Sequence, residues 1–179
     1  HMLEDVARLT ALDSGDPGIL IERVNPVTLI EEAITQATPQ FRERNAVLHL
    51  DLPDRPPMIR ADKDAIGQAI GQLLTNAYLA SPPYGSEITI AARTEEISPE
   101  GIPMFSIAVT DRGGGIAAAD LPRVFARRYR ADNPLIAGVG DSGVGLAIAR
   151  ALVEAHQGRI SVESVPGVGA TFTIAIPIE

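Results

Sequence analysis

The run Gly138-Val-Gly-Asp-Ser-Gly-Val-Gly-Leu146 places four glycines in nine residues and leads straight into the apolar-periodic stretch 147–156. Closely spaced glycines leave no Cβ between backbone N–H groups and an approaching anion. A helix start behind them adds unpaired donors and the positive end of the helix dipole. A glycine-rich loop at a helix N-terminus is therefore expected, suited to phosphate groups, although read alone such a loop is equally a plain turn.

Three kinds of phosphate site share these letters. Gly138 to Gly143 reads G-x-G-x-x-G, and Glu163 lies twenty residues further on, where a dinucleotide fold would place its ribose-binding acid. That fingerprint needs a buried strand just upstream, but Arg130-Ala-Asp-Asn-Pro-Leu-Ile-Ala137 is polar and broken by proline. The 36 residues after Gly143 are also too few for the rest of a doubly wound sheet. A P-loop is excluded, because Val144 stands where that motif requires lysine.

The length of 179 residues suits one domain with a proper core, and a hydrophobic content of 45% marks a globular chain. His1-Met2 reads as the remnant of a cleaved tag, which leaves room for a longer natural protein. With no cysteine, disulfides, thiolate zinc sites and a cysteine nucleophile are out. A net charge of −8 argues against a nucleic-acid surface. No apolar run is long enough to span a membrane. Against the acidic background, Arg123, Arg127, Arg128 and Arg130 crowd into eight residues just before the glycine loop. They read either as a solvated basic face or as a phosphate clamp. His49, alternating with apolar residues, is expected on a strand surface, and His156 is expected to cap helix carbonyls.

Periodicity sets the order of elements. Residues 3–13 form a short amphipathic helix (Leu3, Val6, Leu9, Leu12) closed by Ser14-Gly-Asp-Pro-Gly18. Strand 19–24, helix 26–42, strand 47–52 and a short strand 58–61 follow. Asp62 then caps a long helix, 63–80, whose inner stripe is Ile66, Ala69, Ile70, Leu73, Leu74 and Ala77, stopped by Ser81-Pro82-Pro83. Strands 86–93 and 104–110, a helical turn 120–125, helix 143–156 and a hairpin of 159–165 with 170–176 complete the chain. The expected class is α+β, with three core helices covering one face of a mixed sheet.

Helix 63–80 puts Gln72 and Asn76 four residues apart on one face. An Asn carboxamide oxygen is a hard, neutral ligand for a Mg²⁺ shared with phosphates. Asp111 follows the apolar strand Ile107-Ala-Val-Thr110 and precedes three glycines, where a carboxylate can accept from an adenine amino group. Read alone, Asn76 is also an ordinary polar-face residue, and Asp111 an ordinary turn residue.

Taken together, four blocks resemble the ATP-binding catalytic domain of sensor histidine kinases, in the GHKL (Bergerat-fold) superfamily. They are Gln72-Leu-Leu-Thr-Asn-Ala77 (N box), Asp111-Arg-Gly-Gly-Gly-Ile116 (G1 box), Val124-Phe-Ala-Arg-Arg-Tyr-Arg-Ala-Asp132 (F box) and Gly140-Asp-Ser-Gly-Val-Gly-Leu-Ala-Ile148 (G2 box), in that order. The likeness continues through Val153-Glu-Ala-His-Gln-Gly-Arg-Ile160 and Gly169-Ala-Thr-Phe-Thr173. It implies a two-layer α/β sandwich over residues 19–179, with 3–18 as the end of a dimerisation helix and its linker. It further implies ATP and Mg²⁺ as cofactors, with Asn76 on the metal and Asp111 on the adenine amine. Gly113, Gly115 and Ile116 would lie close to the nucleotide. Tyr129 and Arg130 would reach the phosphates, and Gly140, Ser142, Gly143, Val144, Gly145 and Leu146 would shape the lid and its helix start. No residue here would act as the phosphoacceptor.

The implied activity is transfer of the γ-phosphoryl group to a histidine on the protein's own dimerisation domain, outside this chain, and then to a response regulator. The resemblance implies a cytoplasmic domain of a parent that can be membrane-anchored; the piece itself is expected to be monomeric. Gln72 stands where such kinases carry Asn and ATP-hydrolysing relatives carry Glu. Leu79 replaces a usual Lys, Ala80 a frequent aromatic, and Arg128 a common Phe. These departures keep a second reading open, a nucleotide-binding pseudokinase or regulatory module. The dinucleotide-binding oxidoreductase stays as a distant third.

Overall fold

The computed structural model describes residues 18–43, 45–82, 85–96, 101–125 and 145–178. The expected helix 3–13 and residues 126–144 lie outside the described residues. Strand β1 is Glu22–Val24, helix α1 Pro26–Glu43, β2 Val47–Asp51 and β3 Ile59–Ala61. Helix α2 covers Lys63–Ala80, β4 Glu87–Glu96 and β5 Pro103–Thr110. A 3₁₀ turn at Leu121–Arg123 is followed by α3 Gly145–Glu154, β6 Arg159–Val165 and β7 Gly169–Pro177.

Five strands form one sheet in the order β2-β4-β5-β7-β6. The β2–β4 pair is parallel, with α2 in the crossover between them, and the other three pairings are antiparallel. Alternation sends Ile88, Ile90, Phe105, Ile107, Val109, Phe172, Ile174 and Ile176 into the core. The opposite face carries small polar residues, among them Thr110 and Thr171, whose hydroxyls meet at 2.9 Å. Helices α2 and α3 pack on the apolar face and on each other, while α1 packs mainly on α2. The class is thus α+β with three helices, as expected. One detail differs: β1 and β3 pair with each other as a separate two-stranded sheet, joined to the rest by a bridge between Ile59 and Ile178.

Helix α2 has the predicted bounds, and its predicted stripe is buried throughout. Its start is fixed from three directions. The Asp62 Oδ1 accepts from the Asp64 and Ala65 N–H groups at 2.9 and 3.0 Å, and Oδ2 accepts from the Leu20 N–H at 2.9 Å. The Asp62 N–H in turn donates to Nε2 of His156 at 2.9 Å. A ring nitrogen that accepts from an amide carries no proton, so the imidazole is neutral with its proton on Nδ1, which donates to the Leu152 carbonyl at 2.7 Å. His156 does cap a helix carbonyl as the sequence suggested, and it also ties the end of α3 to the start of α2. At the other end of α2, Ser81 Oγ donates to the Ala77 carbonyl at 2.6 Å.

Replacing His156 with Leu strands the Asp62 N–H and the Leu152 carbonyl in a buried site. Urea denaturation should show a loss of about 1–3 kcal/mol. Glu154→Gln, which breaks only the exposed pair with Arg150, should cost under about 0.5 kcal/mol.

Candidate nucleotide site

Strand β5 is apolar until Thr110, and its ladder extends one step further as the Asp111 N–H donates to the Ala170 carbonyl at 2.9 Å. The carboxylate that follows is 2% exposed. Its Oδ1 accepts from the Gly113 N–H at 2.8 Å and the Ala170 N–H at 3.3 Å. Its Oδ2 is buried without a hydrogen-bond partner. The neighbouring Arg112 gives no help, since it pairs with Glu87 on the surface at 2.6 Å. Burial therefore raises the Asp111 pKa above the usual 3.8, with the two backbone donors opposing that rise only in part.

Gly113 follows two residues on, against the carbonyl of Ala80 at the end of α2. A Cβ there would run into that oxygen and crowd Asp111 Oδ1, so only glycine lets the loop close over the helix end. Asn76 lies one turn earlier on α2, half-buried. Gln72, a further turn back, meets the first residue of α3: its Oε1 is 2.5 Å from where a Cβ on Gly145 would stand. The N-box face of α2 and the helix start behind the glycine-rich loop are thus brought side by side. A sequence reading finds the two motifs but not this contact, because the residues are 73 positions apart.

The other expected site residues divide clearly. Gly115 lies in the same loop as Asp111 and Gly113. Ile116 is buried in the core, and its N–H donates to Ser164 Oγ at 2.7 Å. Leu146 is half-buried against the core. Tyr129, Arg130, Gly140, Ser142, Gly143 and Val144 lie outside the described residues. Of the four clustered arginines only Arg123 is described, and it pairs with Asp120 at 2.6 Å on the surface. Leu79 and Ala80 are buried. His49 is exposed, 3.5 Å from Glu87, as its alternating context suggested. Among the described residues no three acidic or histidine side chains cluster as a metal site. Sequence reasoning marked Ala80, Gly169 and Ala170 without their contacts to the Asp111 loop, which run through main-chain atoms, and missed the Ser164 hydroxyl altogether. The dinucleotide alternative gains nothing from this sheet: α3 leads into the antiparallel hairpin β6–β7, and Glu163 is exposed on β6.

Residues 61–179 match the family of histidine kinase-, DNA gyrase B- and HSP90-like ATPases, and the chain belongs to that family. Within it, the chain is a catalytic ATP-binding domain of the sensor histidine kinase type. It is 34% identical over 176 residues to the sensor-like histidine kinase SenX3 of Mycobacterium tuberculosis, covering 98% of this chain and 41% of that protein. The chain thus spans under half the length of that relative. In fold it resembles the Acinetobacter baumannii histidine kinase AdeS, with a TM-score of 0.76 and 21% identity over 100% of this chain and 78% of that one. Full-length ShkA in complex with AMPPNP aligns with a TM-score of 0.80 and 21% identity, over 97% of this chain and 34% of that one.

The raised pKa of Asp111 has a definite sign in folding. The charged carboxylate weakens the ligand-free fold at neutral pH. That penalty disappears as pH falls through the raised value towards 3.8. Asp111→Asn has no charge to bury. Measured by urea denaturation from pH 7 to pH 4, the wild type should therefore gain stability relative to this variant as pH falls.

Proposed function

We propose that the chain binds Mg·ATP with the adenine amino group donating to Asp111 Oδ2, and that it serves as the catalytic domain of a two-component sensor kinase. The observation carrying this reading is the buried, unpartnered Oδ2, flanked by a backbone approach at Gly113 that a Cβ would close. A guanine would present a carbonyl oxygen there, acceptor against acceptor. Asn76 would supply one neutral oxygen to a Mg²⁺ shared with the ligand's phosphates, with waters in the rest of the shell. Bound there, the ion would offset charge on the transferring phosphoryl group. The start of α3 lies next to the N-box face, where phosphates would meet its first N–H groups. Tyr129, Arg130 and the residues 140–144 are proposed to complete the phosphate side. The AMPPNP bound by ShkA supports this reading.

The γ-phosphoryl acceptor is proposed to be a histidine on the dimerisation domain of the full-length protein, with a response regulator receiving the group next. In that transfer an imidazole nitrogen bonds to the γ-phosphorus as the bond to the β–γ bridging oxygen breaks and ADP leaves. Within the chain, His156 has both nitrogens engaged in the core, and His49 lies on the exposed edge strand. A cytoplasmic location is proposed from the sensor-kinase reading alone. Among the described residues no helix is long and apolar enough to cross a membrane. The pseudokinase reading draws on the buried Leu79 and Ala80, which provide no cation at the end of α2. Under it, nucleotide binds but no transfer follows when the dimerisation domain is supplied.

Calorimetric titration should give saturable binding of Mg·ATP, with GTP and NAD far weaker. Asp111→Asn, which turns an N–H₂ donor toward the adenine amine, should lower ATP affinity about 10–100-fold without unfolding the chain. Asn76→Ala should lower affinity for ATP in Mg²⁺ while changing it little in EDTA. Unselective binding, or none, would remove this assignment. With γ-labelled ATP the chain alone should take up little label, and a separately added dimerisation domain should become labelled.

A further inference from the structure

The loop that carries Asp111 is held on its outer side by the turn of the β6–β7 hairpin, and one side chain fastens the two. Ser164 Oγ accepts from the Ile116 N–H at 2.7 Å and donates to the Gly169 carbonyl at 3.0 Å. The hydroxyl thereby spends its single proton on the hairpin and a lone pair on the loop. Around it the other contacts are main chain to main chain, apart from the Asp111 carboxylate. The Gly167 N–H donates to the Gly114 carbonyl at 2.8 Å, and Asp111 exchanges hydrogen bonds with Ala170 through both backbone and carboxylate. Gly115, at φ +74°, sits so close to the Val165 carbonyl that a Cβ would come within 2.6 Å of it.

We infer that Ser164 is a specificity-determining positioning residue, whose hydroxyl holds the Asp111–Ile116 loop in the geometry that reads an exocyclic amino group on the base. It acts through Ile116 and Gly169 and not on the nucleotide directly. The inference rests on the adenine reading proposed above. Its physical basis is that a hydrogen bond discriminates donors from non-donors only while its geometry is fixed. Oδ1 depends on Gly113 and Ala170, one on each side of the Ser164 clasp. Loosening the clasp lets the carboxylate turn and find other donors or water, and the energetic gap between ligands with and without the amino group shrinks.

The test measures affinities of the intact chain for Mg·ATP and for purine riboside triphosphate, which lacks the 6-amino group. The variants are Ser164→Ala, Ser164→Thr and, as a control remote from the loop, Thr38→Val, which loses only a hydroxyl bond to Ile34 within α1. Wild type and Thr38→Val should share one ATP preference. Ser164→Ala should narrow it by about 5–10-fold, and Ser164→Thr, which keeps the hydroxyl and suits a strand, should restore it. Hydrogen exchange at the Ile116 amide should quicken in Ser164→Ala by a similar factor. If both nucleotides weaken equally and the preference survives, Ser164 is merely structural and the inference is overturned. A wild type with no preference for the amino group would overturn the adenine reading itself, and this inference with it. If Ser164→Ala does not fold, Ser164→Cys, with a weakly accepting thiol, takes its place: a narrowed preference supports the inference and an unchanged one overturns it.

Discussion

A carboxylate taken out of water costs several kcal/mol unless its oxygens find donors, and Asp111 is satisfied on one oxygen only. Much of the local architecture exists to make that arrangement tolerable. The loop must turn sharply after β5 so that the Gly113 N–H faces Oδ1, and the turn fits only because Gly113 can lie against the Ala80 carbonyl. The hairpin must deliver the Ala170 N–H from the other side. Three elements, the end of α2, the end of β5 and the start of β7, are therefore brought together around a single acid. On the proposed reading, the remaining oxygen is left for a donor on the ligand, and an N–H arriving at that point offsets the burial.

Helix α2, on the proposed reading, links the base-reading end of the site to its phosphate end. Its C-terminal carbonyl at Ala80 backs the Gly113 turn, while Gln72, two turns earlier, lies against the first residue of α3. Asn76 stands between them. A shift of α2 along its axis would move all three groups together, so on that reading the relative placement of base, metal and phosphates would depend on how firmly one helix is held. The Asp62–His156–Leu152 bridge supplies that hold at the far end. It couples the start of α2 to the last turn of α3 with neutral, fully engaged groups. Neighbouring core side chains from α1, α3 and the sheet fix its rotation.

What could be read from sequence was what is written locally. Lys63–Ala80 was legible because a capping Asp, a sustained 3.6-residue stripe and Ser-Pro punctuation all agree. The hairpin was legible from alternation around Pro166-Gly-Val-Gly169, and Asp111 from its place between an apolar strand and three glycines. Strand β4 continues to Glu96, past the expected end at 93, because pairing with Pro103 and Met104 needs backbone groups and not apolar side chains. The β1–β3 pairing was not legible, since three-residue strands carry no period and their partners are 35 or more residues away. Nor was the second role of His156, whose Nε2 meets a residue 94 positions distant. The contacts of Gln72 with Gly145 and of Ser164 with Ile116 are equally non-local. Motif letters marked the right segments without showing how they touch.

Gln72 bears on the chemistry beyond its place beside α3. An amide takes no proton at ordinary pH, so this position cannot activate water. On the proposed reading, the site can hold and orient ATP without itself providing a base for hydrolysis. The nucleophile must then arrive with its own lone pair, as a neutral imidazole does. Neither described histidine is placed to be that nucleophile. His156 can free its Nε2 only by giving up the Asp62 N–H, which would loosen the start of the helix that carries the site. The core therefore engages the one buried imidazole found among the described residues. On the proposed reading, phosphoryl transfer from this domain uses a histidine presented by another domain, which ties use of the bound ATP to the docking of that domain.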